Sequence, residues 1–231
     1  MNKLFEKHET LFCMLLIVIY IVANSLCLQN FGDISYIGLI VNTLLSAGLI
    51  GIILALKRKS YYGLTKVKNA KKCLYFIPLI LILTVNLWNG INLNHSAAET
   101  IICILNMLNV GFIEEIIFRG FLFKMMAKSN LNSAIIVSSL TFGIGHVINL
   151  LNGAELIPTL LQVCYAISIG YLFVVIFLKT RSLIPCIITH SLMNALSEFN
   201  IQNPRTLYLS SAFLIIVPLV YAFEIRRRHK E

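Results

Sequence analysis

The chain has 231 residues, of which 58% are hydrophobic and only 13% charged, and its mean hydropathy is +0.84. Soluble globular domains are about 45–50% apolar and about 25% charged. A soluble enzyme fold, a disordered tail and a disulfide-stapled secreted domain are therefore excluded, and most of the chain belongs in lipid. The formal charge of +9 would suit a nucleic-acid binder, but its placement along the chain argues otherwise.

A membrane-spanning helix needs about 20 mostly apolar residues. Eight segments qualify in chain order: 11–29, 34–56, 73–89, 98–124, 132–151, 158–178, 183–200 and 206–223. Lys3 and Lys7 before the first run resemble a signal-peptide n-region. The run is long for an h-region, however, and Asn24-Ser25-Leu26-Cys27 offers no A-x-A site or lipobox, so the segment reads as an uncleaved helix. Pro158 and Pro185 fall in first turns, where a missing N–H costs little, whereas Pro78 and Pro218 lie deeper and are expected to kink their spans.

The connections between these segments set the orientation. One side collects Lys3, Lys7, Lys57, Arg58, Lys59, Lys66, Lys68, Lys71, Lys72, Lys124, Lys128, Lys179, Arg181, Arg226, Arg227, Arg228 and Lys230, which is seventeen of the nineteen basic residues. Arg205 lies on the other side and Arg119 inside a span. This positive-inside bias predicts a multi-pass protein of the cell membrane with both termini in the cytoplasm and anionic lipid as the partner of its basic loops. No nucleic acid is needed to explain the charge. Cys13, Cys27, Cys73, Cys103, Cys164 and Cys186 stand singly in apolar runs and read as small buried hydrophobes. No repeat and no long linker divides the chain, so the expected architecture is all-α, one integral-membrane domain over 1–231 with about eight transmembrane helices.

A charge at mid-membrane costs at least about 2.5–3.5 kcal/mol and needs a reason. The fourth span carries Glu114, Glu115 and Arg119. Glu115 and Arg119 are four apart and share a helix face, so they can pair. Glu114 is turned about 100° away with no intrahelical partner, a placement suited to a general base. His146 lies in the fifth span, and His190 with Asn194 one turn on in the seventh. Measured from the turn near Ser129, Glu114 and His146 lie roughly 22 and 26 Å deep, while His190 is shallower, near the level of Arg119. Gly143 and Gly145 would let a neighbouring helix approach beside His146. His8 and His229 belong to tails and His95 to a loop, and Glu99, Glu155 and Glu198 sit near span ends.

The sequence has no H-E-x-x-H and no G-x-S-x-G, and Asp33, its one aspartate, is in a loop. Glu and His remain, the groups that polarise a water for attack on a carbonyl. Glu114 would take the proton, His146 would hold the water, and His190 and Asn194 would donate to the oxyanion. The same Glu114, His146 and His190 could alternatively ligate Zn²⁺ with a position open for water; the metal-free chemistry, needing no cofactor, is favoured because no local ligand motif is present.

E-E-x-x-x-R at Glu114–Arg119, F-x-x-x-H at Phe142–His146 and H-x-x-x-N at His190–Asn194 follow one another on three spans. Together they resemble the CPBP family, which comprises CAAX prenyl endopeptidases and bacteriocin-processing or self-immunity proteins, with a core over about 97–200. Tyr62-Gly63-Leu64 is of a kind common before that family's third helix. The resemblance implies an eight-helix fold around an intramembrane cavity open to the cytoplasm or bilayer. It also implies endopeptidase activity near the C-terminus of a membrane-associated peptide or protein. Glu114 would be the base and His146 its water-orienting partner, with Glu115 and Arg119 in support and His190 and Asn194 on the oxyanion. A prenylated substrate is not expected; bacteriocin or peptide maturation, or self-immunity, is. Two other classes stay open: a non-catalytic immunity scaffold, and a proton- or cation-coupled transporter using the same Glu and His residues.

Overall fold

The computed structural model describes residues 2–67, 76–201 and 203–227, with side chains from Phe5 onward. Lys68, Lys71, Lys72, Cys73, Arg228 and Lys230 lie outside the described residues, as does the start of the third expected span. The helices in chain order are α1 (Asn2–Lys7), α2 (Glu9–Phe31), α3 (Tyr36–Ala55), α4 (Ile77–Thr84), α5 (Ala97–Glu115), α6 (Lys124–Met126), α7 (Leu131–Gly145), α8 (Ile148–Leu151), α9 (Leu156–Thr180), α10 (Ile184–Ser197) and α11 (Pro204–Arg227). A π-helical stretch, Ile116–Phe123, joins α5 to α6. Polar caps begin three of the long helices by satisfying first-turn N–H groups. Ser35 accepts from Ile37 and Gly38, Ser96 and Glu99 form a reciprocal capping box, and Asn130 accepts from Ser133.

Among the described residues, six helical runs are long and apolar enough to cross a membrane: Glu9–Phe31, Tyr36–Ala55, Ala97–Met126, Leu131–Leu151, Leu156–Thr180 and Pro204–Arg227. Ile40, Leu44, Val220 and Phe223 are exposed on them, as expected of side chains that face lipid. The other two expected spans are represented by shorter helices. α4, extended by a 3₁₀ turn to Leu87, covers the described part of 73–89, and α10 covers 183–200 with 14 residues. That is about 21 Å, against a hydrocarbon core of about 30 Å. α4 and α10 pack on one another and α10 lies along α5, while Ile80 of α4 and Ile188 of α10 are exposed on their outer faces. Pro78 falls in the first turn of α4 and kinks nothing, whereas Pro218 lies inside α11 as expected.

The bundle has two distinct ends. At one, the basic connections bind each other: Arg58 pairs with Glu6, Lys128 with Glu9, Tyr61 donates to the Lys124 carbonyl and Ser182 to the Thr65 carbonyl. Phe12 meets Phe5 and Phe121 edge to face beneath them, and Tyr62 packs tilted against Phe121. At the other end Gln29 and Ser25 bond Asn152, and Asn92 bonds the Phe199 carbonyl. Close helix contact is set by glycine. A Cβ on Gly111 would meet the Ser191 backbone of α10 at 2.6 Å, and one on Gly143 would meet the α9 backbone at 2.9 Å. Gly143 thus does what its small size implied, while Gly145 has nothing within 4 Å of its Cβ position and lines a cavity instead. Among the described residues the five cysteines are free; Cys13, Cys103 and Cys186 are buried, Cys27 is half-buried and Cys164 is exposed.

Candidate active site

Glu114 and Glu115 end α5, where the helix widens into the π turn, a rare geometry concentrated at functional sites. Every residue of Ile116–Phe123 is buried, Arg119 included. Arg119 Nη1 donates to Glu115 Oε1 at 2.9 Å, both side chains being fully buried, as their spacing predicted. The rest of the guanidinium lies over the Phe142 ring, 4.0 Å from its centre, with Phe173 at 5.6 Å. Two aromatic faces therefore replace the water lost on burial.

Glu114 is not unpaired. Its partners come from other helices: the Tyr20 hydroxyl of α2 donates to Oε1 at 2.6 Å, and His190 Nε2 of α10 stands 3.3 Å from Oε2. The other ring nitrogen, His190 Nδ1, is 2.9 Å from Glu115 Oε1. His190 therefore bridges the two glutamates, and α10 reaches both because Gly111 admits it so closely.

His146 caps the end of α7 and its Nδ1–H donates to the Phe142 carbonyl at 3.1 Å. That bond leaves Nε2 with the free lone pair. The Phe142 ring touches both imidazoles, 5.2 Å from His146 and 5.5 Å from His190. Glu114, His146 and Tyr20 line one cavity of about 200 Å³, walled also by Asn24, Asn42, Asn106, Val110, Phe118 and Phe142. It runs from the half-buried Glu114 to the exposed Gly32–Asp33 turn and the half-buried Asn152.

The expected residues are thus partly gathered. Glu114 and His146 share the cavity wall; Glu115, Arg119 and His190 stand behind them. His190, expected at an oxyanion, has both nitrogens facing carboxylates and is not part of the wall. Asn194 is half-buried and also outside the wall, and among the described residues its side chain forms no hydrogen bond. Ser191, the residue after His190, instead donates to the Leu108 carbonyl of α5. Tyr20 and the cavity's carboxamides carry no charge and do not stand out when only charges in apolar spans are counted. Extending the same cost to uncharged polar groups would have marked them.

In the alternative Zn²⁺ set, Glu114 Oε2 and His190 Nε2 stand 3.3 Å apart, but among the described residues no group of three His, Cys, Asp or Glu is disposed to hold a metal ion.

These features define a helical, membrane-type protein whose buried carboxylate–imidazole cluster opens on an interior cavity. Residues 96–196 match the family model described as type II CAAX prenyl endopeptidase, Rce1-like, a family of proteases. The matched stretch contains Glu114, Glu115, Arg119, His146, His190 and Asn194, so the resemblance carried by those motifs holds over it. No curated protein and no solved structure matches the chain.

Proposed function

We propose that the protein is an intramembrane endopeptidase that hydrolyses a peptide bond in a membrane-associated peptide or protein. The observation that carries this reading is the presence of Glu114 and His146 on one cavity wall, with Glu114 held from behind by His190. A water between them donates one hydrogen to the free Nε2 of His146 and the other to Glu114. As its oxygen bonds to the scissile carbonyl carbon, Glu114 takes the proton and the carbonyl oxygen becomes an oxyanion. Collapse of that intermediate breaks the C–N bond, and Glu114 returns the proton to the leaving amine. His190 holds Glu114 and is itself held by the Glu115–Arg119 pair, and Tyr20 holds the second oxygen of Glu114. No step is assigned to Asn194, and none needs a metal.

The protease family of the matched stretch supports peptide-bond hydrolysis. Bacteriocin or peptide maturation, or self-immunity, is the biological setting we favour. Both termini and the basic end would face the cytoplasm, against anionic lipid. The test is cleavage of a peptide substrate in H₂¹⁸O, followed by mass spectrometry. One ¹⁸O should enter the new carboxyl group, His146→Ala should slow the rate about 10²–10⁴-fold, and a chelator should leave it unchanged. Activity lost to the chelator and restored by Zn²⁺ would overturn the metal-free chemistry in favour of the Glu114, His146 and His190 ligand set.

A further inference from the structure

The cavity's outer half has a chemistry that peptide hydrolysis at Glu114 does not use. Three carboxamides from three helices meet in its wall. Asn42 Nδ2 donates to Asn24 Oδ1 at 3.0 Å and to Asn106 Oδ1 at 2.8 Å. Asn24 in turn donates to the Tyr20 carbonyl. This leaves Asn42 Oδ1 buried without a partner, on a side chain only 2% exposed. Asn106 Nδ2 donates to no group among the described residues. Asn42 Oδ1 and Asn106 Nδ2 are thus an acceptor and a donor without partners among the described residues, the groups that the N–H and C=O of one residue in an extended backbone would satisfy.

The rest of the wall narrows the ligand. Ile21, Leu28, Met107 and Val110 are apolar, no Lys or Arg among the described residues lines the cavity, and Asp33 stands at the rim. An anion finds no counter-charge here, and an acyl or isoprenoid chain would leave both amide groups unpaired, which is costly in a buried site. A neutral peptide backbone satisfies them.

The geometry points to a peptide-binding subsite at Asn42 and Asn106, reached from the end of the bundle opposite the basic loops, that holds an extended backbone and leads it to Glu114 and His146. This deepens the endopeptidase reading and rests on it for the fate of the peptide. Asn106 and Glu114 are eight residues apart on one helix, about 12 Å along its axis. An extended chain covers that in about four residues, so the subsite acts about four residues from the scissile bond. Access is from the Gly32–Asp33 and Asn152 end, where the lining residues reach the surface.

The test uses full-length protein in lipid nanodiscs and two probes: a fluorescein-labelled, mixed-sequence octapeptide pool, and the same pool N-methylated along its backbone. Binding is taken as the part displaced by unlabelled pool. Wild type and Glu114→Gln should bind the unmodified pool equally, and N-methylation should weaken binding about tenfold. Asn42→Ala and Asn106→Ala, checked for unaltered thermal unfolding, should lose about the same factor and cease to distinguish the pools. Equal binding of both pools by wild type, or no displaceable binding, overturns the subsite without recourse to any variant. Cleavage persisting in Glu114→Gln would strike the proposed chemistry while leaving the subsite standing.

Discussion

Gly111→Ala tests how the glutamate cluster is assembled. The added Cβ would lie 2.6 Å from the Ser191 nitrogen and 2.7 Å from its Cα, where ordinary contact begins at 3.4 Å. Backbone atoms cannot swing aside, so α10 must retreat by about 0.8 Å, an overpacking that costs about 1–3 kcal/mol. His190 precedes Ser191 and retreats with it. Its contacts of 2.9 Å to Glu115 and 3.3 Å to Glu114 would lengthen to about 3.7 and 4.1 Å, past hydrogen-bond range. The assay is thermal unfolding in detergent over a double-mutant cycle, at about 2–4 °C per kcal/mol for a chain of this size. His190→Ala should cost about 1.5–3 kcal/mol in the wild-type background and a small fraction of that beside Gly111→Ala. Gly48→Ala, with nothing within 4 Å of its Cβ position, should leave both values unchanged. An undiminished His190 effect in Gly111→Ala would refute the claim that this glycine sets the cluster.

Tyr20→Phe removes the hydroxyl that holds Glu114; kcat should fall about tenfold with KM unaltered, and an unchanged kcat would remove Tyr20 from the positioning set. Arg119→Leu strands the fully buried Glu115 and should cost about 3–5 kcal/mol, with Glu115→Gln in the same chain recovering much of it; equal unfolding temperatures for wild type and Arg119→Leu would contradict the pairing. At the basic end, the hydrogen bond from Arg58 and then its charge hold the Glu6 carboxyl below its ordinary value of 4.5. A depressed carboxylate stabilises above its unfolded value and loses that contribution as pH falls through its folded one. The stability difference between wild type and Glu6→Gln should accordingly be constant from neutrality down to about 4.5 and vanish at more acid pH; a difference growing as pH falls would contradict the ion pair.

The intramembrane charges were legible from sequence because lipid makes each one expensive. Glu115 with Arg119 followed from four-residue spacing alone, and Glu114 with His146 from counting residues away from the turn at Ser129. His190 was harder. Depth counting set it near Arg119, but its bridge to both glutamates depends on how α10 packs along α5 and on the approach allowed by Gly111, which are tertiary facts. Tyr20 was invisible for a similar reason: nothing in α2 indicates that its hydroxyl meets α5. Apolar length marked 73–89 and 183–200 as spans; the described helices there, Ile77–Leu87 and Ile184–Ser197, are shorter than the six long runs, because hydropathy reports composition and not where a helix begins and ends. Asn24, Asn42 and Asn106 went unread because carboxamides carry no charge, although in an apolar wall they too need partners.

The central claim is tested most directly by incubating purified wild-type protein and Glu114→Gln with a quenched fluorescent library of membrane peptides. Cleavage by the wild type that is lost in Glu114→Gln, at equal unfolding temperature, is the predicted result. Equal cleavage by the two proteins would contradict Glu114 as the base that activates water.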